Sequence, residues 1–192
     1  MIAYLNGKLT YKEPAYVILE CNGIGYQVKI SLNTFSKLGK DEDVKLHTYL
    51  MIKEDSHTLY GFLDRKEKVL FLQLLGVQGV GGNTAMTILS SIEPADLVVV
   101  IDTENVARLK QVKGIGAKTA SRIILELKGK LVLESSGVPT SGLAKVREEA
   151  IAALASLGMP KAMMEKRVDA LIKAGGDDIS VEQLIKDALR QK

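Results

Sequence analysis

The chain of 192 residues is long enough for one large domain or two to three small ones. Its hydrophobic share of 46% and charged share of 26% are those of an ordinary soluble protein. The longest aliphatic run, Leu97-Val98-Val99-Val100-Ile101, is too short to cross a bilayer, so neither a membrane span nor, from the opening residues, a signal peptide is expected. A single cysteine, Cys21, excludes an intrachain disulfide and fits a reducing cytosol. The net charge of +3 lies wholly within residues 64–133, which carry ten basic and seven acidic side chains, whereas the flanking segments are balanced.

The first segment, residues 1–63, reads as strands. All six tyrosines fall within it. Alternation marks 15–20 and 26–30 as strands, joined across Asn22-Gly23, a strong turn signal because glycine accepts positive φ. Further strands are predicted at 2–9, 44–53 and 57–63, with a helical turn at 33–38. Five short strands in about 63 residues suggest a closed barrel of the oligonucleotide-binding type, with a five-stranded sandwich as the alternative. Glu54 and Asp55 fall at the tip between the last two strands. By residue type alone they are a solvated turn, although paired acids would also repel phosphates.

Residues 64–133 read as helical. Val69, Leu70, Leu72, Leu74 and Leu75 supply a buried stripe after Asp64. The run breaks between Ser91 and Pro94, another helix fits 96–100, Asp102-Thr103-Glu104 is read as opening a helix through Leu109, and a last helix covers 119–130. Residues 134–143, rich in Ser, Gly, Pro and Thr, read as a flexible linker. A trio of helices follows at about 144–157, 161–174 and 181–190. Gly158 is placed to end the first, and Ser180 with Gln183 suits a capping box on the third. A unit of this size generally works by docking onto something else.

One internal repeat carries most of the functional information. Residues 77–85 recur as 112–120, with identity at Val77/Val112, Gly79/Gly114, Gly81/Gly116, Thr84/Thr119 and Ala85/Ala120, and again at Ile88/Ile123. Each copy is a glycine hairpin that opens a helix, leaving unpaired N–H groups suited to a phosphate. Two in tandem suit a polymer of phosphates better than a single nucleotide. Lys118 and Arg122 share one helix face at i, i+4 spacing. One copy alone would read as a structural helix turn. Gly116-Ala117-Lys118-Thr119 resembles the end of a P-loop, but Ala117 separates the glycine from the lysine, so ATP binding is not expected. His47, His57 and Cys21 have no zinc spacing, and no carboxylate cluster stands near the hairpins. The chain reads as a DNA-binding protein without catalysis or cofactor of its own. The alternatives are a general helix-hairpin-helix scaffold and a repair-enzyme subunit.

The residues resemble the RuvA family of bacterial Holliday-junction proteins. The resemblance rests on the tandem helix-hairpin-helix pattern, on Met1-Ile2 with Gly7, on Gly23-Ile24-Gly25-Tyr26, on Glu54-Asp55 with Leu59-Tyr60-Gly61-Phe62, and on Ala153-Leu154-Ala155-Ser156-Leu157-Gly158. It implies an α+β chain: a five-stranded OB-type barrel, a tandem helix-hairpin-helix domain, a linker and a three-helix UBA-like module. It further implies a homotetramer, single or paired face to face, that holds four-way junction DNA open. The RuvB hexameric ATPase would dock on the last module, and the RuvC resolvase would be a further partner. By position, the backbone-binding residues are Gly79, Gly81, Asn83, Gly114, Gly116, Lys118 and Arg122, and the acidic pin is Glu54 and Asp55. The motor-binding residues are Leu154, Leu157, Met159 and Leu189. Gly82-Asn83 stands where the family often has Pro-Lys, and Ala117 where lysine is frequent, so weaker salt dependence is expected. Met159 replaces a common aromatic.

Overall fold

The computed structural model describes residues 1–39, 43–131, 142–175 and 179–190. They divide into two compact units, one within Met1–Glu134 and one within Ser135–Lys192. Most of the linker expected at 134–143 lies outside the described residues.

The first unit begins with strands β1 (Tyr4–Lys12), β2 (Tyr16–Cys21), β3 (Ile24–Lys29), β4 (Asp43–Ile52) and β5 (His57–Phe62), with helix α1 (Leu32–Lys37) between β3 and β4. They close into a barrel in the order β1-β2-β3-β5-β4, which decides against the open sandwich. Every pairing is antiparallel except β3 with β5. Asn22 and Gly23 both take positive φ, 51° and 81°, so the β2–β3 turn has the backbone twist a two-residue hairpin demands. Alternating inward residues Val17, Leu19, Val28, Val44 and Leu46 fill the barrel.

Helices α2 (Arg65–Leu75), α3 (Gly82–Ser91), α4 (Pro94–Asp102), α5 (Val106–Lys110) and α6 (Ala117–Leu127) follow. The last helix, expected at 119–130, runs from Ala117 to Leu127, and a larger change lies before it. Asp102-Thr103-Glu104 ends α4 instead of opening the next helix: the Thr103 hydroxyl donates back to the Val99 carbonyl at 2.6 Å, and Glu104 takes φ 54°. Asn105 then caps α5, its side-chain oxygen accepting from the Arg108 N–H at 3.0 Å.

The barrel and the helices share a core. Tyr60 and Phe62 of β5 and Phe71 of α2 are almost fully buried in the cluster that also holds Leu74, Ile88, Leu97, Leu109 and Ile123. The Phe71 ring centroid lies 4.9 Å from that of Tyr60 and 5.0 Å from that of Phe62. Glu67 of α2 is buried as well. It accepts from the Thr34 hydroxyl at 2.7 Å and from the Ser31 hydroxyl, and burial raises its pKa even though both hydrogen bonds and Lys37 oppose the shift.

The second unit contains α7 (Gly142–Ser156), α8 (Lys161–Gly175) and α9 (Val181–Arg190). Ala150, Ile151, Leu154, Met164, Val168, Leu184 and Ala188 form its core. Gly158 follows α7 with φ 85°, the left-handed conformation expected of a residue that ends a helix there. The Gln183 N–H donates to Ser180 Oγ at 3.2 Å, half of the expected capping box, while the Gln183 amide turns forward to Asp187. Among the described residues no single helix is long and apolar enough to cross a membrane.

Candidate nucleic-acid interface

The sequence repeat is a repeat in hydrogen bonding. In the first copy Val77 N–H donates to Leu74 O, Val80 N–H to Val77 O and Ala85 N–H to Gly81 O, at 3.1, 3.0 and 2.9 Å. In the second, Val112 donates to Leu109, Ile115 to Val112 and Ala120 to Gly116, at 3.1, 3.1 and 2.9 Å. Gly79 and Gly114 sit inside these turns with φ 89° and 85°, a region that costs a side-chain-bearing residue about 1–2 kcal/mol. Val77, Val80, Val112 and Ile115 are buried and anchor each turn to the core.

Gly81 and Gly116 are the N-caps of α3 and α6, and neither helix start has a side-chain cap. The N–H groups of the first helical residues therefore receive no hydrogen bond from the side chain of a cap residue, and the helix dipole there favours an anion. A Cβ built on Gly81, Gly114 or Gly116 meets nothing within 4 Å, so this surface is open for a backbone to approach. Gly82 differs: a Cβ there would fall 2.3 Å from the Tyr60 hydroxyl oxygen, so the absent side chain lets the barrel pack tightly under the start of α3.

The two basic residues expected to act together have different surroundings. Lys118 is exposed at the start of α6. Arg122 is half-buried and turns toward the first hairpin, its Nη1 donating to the Gln78 carbonyl at 3.2 Å. It ties the two hairpins together and retains further donors. Asn83 is exposed, and its side-chain oxygen accepts from Lys29 Nζ of β3 at 3.2 Å, a partner across the chain that helix spacing does not reveal.

Glu54 and Asp55 are exposed at the β4–β5 turn, where Lys53 N–H donates to Ser56 O at 2.8 Å. They are remote in sequence from the hairpins and form no metal-binding cluster among the described residues. Of the four apolar residues expected to dock a motor, Leu157 and Leu189 are exposed, and Met159 is half-buried against the α7–α9 core. Leu154 is a correction: it has no exposed surface and is part of the core itself, because its helical register points it between α8 and α9.

Three family models cover nearly the whole chain. Residues 1–61 match the RuvA N terminal domain, 71–130 the SAM-like helix-hairpin-helix tandem, and 145–191 the RuvA C-terminal domain. Full-length relatives are similar throughout. Proteins of Parabacteroides distasonis, Bacteroides fragilis and Cytophaga hutchinsonii are 48%, 46% and 45% identical to it, each alignment covering 99% or more of both chains. All three are called Holliday junction branch migration complex subunit RuvA.

Proposed function

The chain belongs to the RuvA family, and from that premise we propose that it recognises four-way DNA junctions as the non-catalytic subunit of a branch-migration complex in recombination and repair. The observation that carries this reading is the pair of uncapped glycine hairpins with matching hydrogen bonds, a device for holding the phosphate backbone without reading bases. Four copies assembled as a homotetramer give eight hairpins, one pair for each junction arm. A second tetramer stacked on the other face would enclose the DNA. Gly79, Gly81, Asn83, Gly114, Gly116, Lys118 and Arg122 form the backbone-gripping surface.

Glu54 and Asp55 act as an acidic pin at the centre of the tetramer, where repeated carboxylates keep phosphates from the crossover and hold the strands apart. The C-terminal unit recruits an ATPase of the RuvB kind through Leu157, Leu189 and the accessible part of Met159, and a RuvC-type resolvase acts on the same junction. The protein works in the cytoplasm.

The first test is competitive binding to an immobile four-way junction and to linear duplex of the same sequence at fixed salt, with the complex sized. Strong junction preference in a complex of four or eight subunits is expected. Equal affinity leaves a general DNA-binding scaffold. For the pin, Glu54→Gln with Asp55→Asn is expected to leave affinity nearly intact and to reduce junction selectivity and the rate of branch migration. Unchanged selectivity and rate remove that role.

A further inference from the structure

The first hairpin has no charge of its own: every residue from Gly76 to Ile92 is uncharged. The second is flanked by Arg108, Lys110, Lys113, Lys118 and Arg122. Two hairpins built for the same ligand thus differ completely in charge. The barrel supplies what the sequence of the first one lacks. Lys29, the last residue of β3, is half-buried, and its amine lies 3.2 Å from the Asn83 side-chain oxygen at the start of α3. It lines an open groove of about 500 Å³ between the barrel and α3, together with Tyr16, Gln27, Met86 and Thr87.

We propose that Lys29 binds the DNA backbone at the first hairpin, a cation lent by the barrel to the phosphate site that the α3 N–H groups create. The inference rests on the proposed function and adds to it a residue outside both hairpins. An ammonium group has three donors, and Asn83 occupies one. The other two are free to meet a phosphate that approaches the α3 N-terminus. Asn83 thereby takes a positioning role: its neutral oxygen holds the lysine amine at the site, where a lysine at position 83 would carry the charge itself. The neutral Gly82-Asn83 pair therefore does not lower the charge of the interface.

The test is a salt titration of binding, on four-way junction and on linear duplex, for the full-length protein and the variants Lys29→Gln, Lys29→Arg, Asn83→Lys and Lys29→Gln/Asn83→Lys, each checked by thermal melting. Removing one lysine–phosphate interaction flattens the log–log slope by about 0.9, so a tetramer using all four lysines drops by up to about 3.6. Glutamine can still hydrogen-bond Asn83, so a structural tie alone predicts no change in slope. The expected result is a flattened slope for Lys29→Gln, a preserved one for Lys29→Arg, and restoration when Asn83→Lys is added to Lys29→Gln. Should Lys29→Gln melt early, the Asn83→Lys pair decides: the new lysine adds a full phosphate interaction without Lys29 and less than one beside it. Unchanged slope and affinity in Lys29→Gln, with Lys118→Ala still flattening the slope, overturns the proposal. Wild-type protein without junction preference overturns the functional reading instead, and the Lys29 effect is then read on the duplex.

Discussion

The two hairpins share a fold and divide the work differently. The first is braced and uncharged. Tyr60 packs beneath Gly82, Lys29 reaches Asn83, Leu32 N–H donates to Ser90 Oγ at 3.1 Å, and the Asn33 amide donates to the Leu89 and Ile92 carbonyls at the far end of α3. The second is charged and hydrogen-bonds within the helical part, through Arg122 to Gln78, Gln73 to Lys130 and Lys128 to Glu104. Identical backbone geometry therefore does not imply identical contributions to binding. One copy is fixed by the barrel, and the other supplies local charge.

The largest effect is expected from Gly79→Ala combined with Gly114→Ala. Each forces alanine into a left-handed conformation at about 1–2 kcal/mol. Melting temperature and DNA binding should both fall. A braced first turn should be disturbed less by Gly79→Ala than the second is by Gly114→Ala. Equal damage from each single variant would show that bracing does not protect the first turn.

Gly81→Ala with Gly116→Ala comes next. Both positions have negative φ and open space, so the melting temperature should hold. A methyl group where the phosphate approaches should cost about tenfold or more in junction affinity, about 1.4 kcal/mol. Unaltered binding would place the DNA away from the helix N-termini.

Lys118→Ala and Arg122→Gln separate charge from bracing. The first should flatten the salt slope by about 0.9 per phosphate released, equally on all sequences, with no change in stability. The second should in addition lower stability by about 1 kcal/mol, because the Gln78 carbonyl loses its donor. Denaturant melts beside salt titrations distinguish the two outcomes.

The smallest effect concerns Glu67, whose carboxyl holds Ser31 and Thr34 on either side of the Leu32 and Asn33 brace. Burial raises the Glu67 pKa in the folded state, so the folded chain holds its proton to higher pH than the unfolded chain does. This contribution is fully present below the unfolded pKa and is lost as pH rises through the folded one. Glu67→Gln removes that dependence, so the variant should gain relative to wild type as pH is raised from mildly acidic to neutral, as measured by melting. A difference that stays constant with pH would mean that the carboxyl titrates alike in both states.

Much of this is legible in the chain because the informative residues act locally. Alternation locates the strands, Asn22-Gly23 sets a turn, and the doubled Gly-x-Gly announces two hairpins. The departures come where a long-range partner decides the outcome. Nothing near Asn83 in sequence points to Lys29, 54 residues away. Arg122 shares a face with Lys118 by helical spacing, yet a carbonyl 44 residues earlier draws it aside. Leu154 lies in a motif that marks the family and so suggests docking, whereas its register buries it. Asp102-Thr103-Glu104 resembles a helix start because its residue types suit both ends of a helix, and the stronger cap lies at Asn105.

Phe71 has a consequence for engineering. It belongs to the helical part, yet its ring lies against Tyr60 and Phe62 of the barrel. The hairpin pair is therefore not a portable cassette. Excised at residue 64 and fused to another carrier, it would bring a bare aromatic socket to the surface, a site for aggregation in place of a clean junction. A graft that travels well has to take the last barrel strand with it, and that strand is paired to the strands beside it.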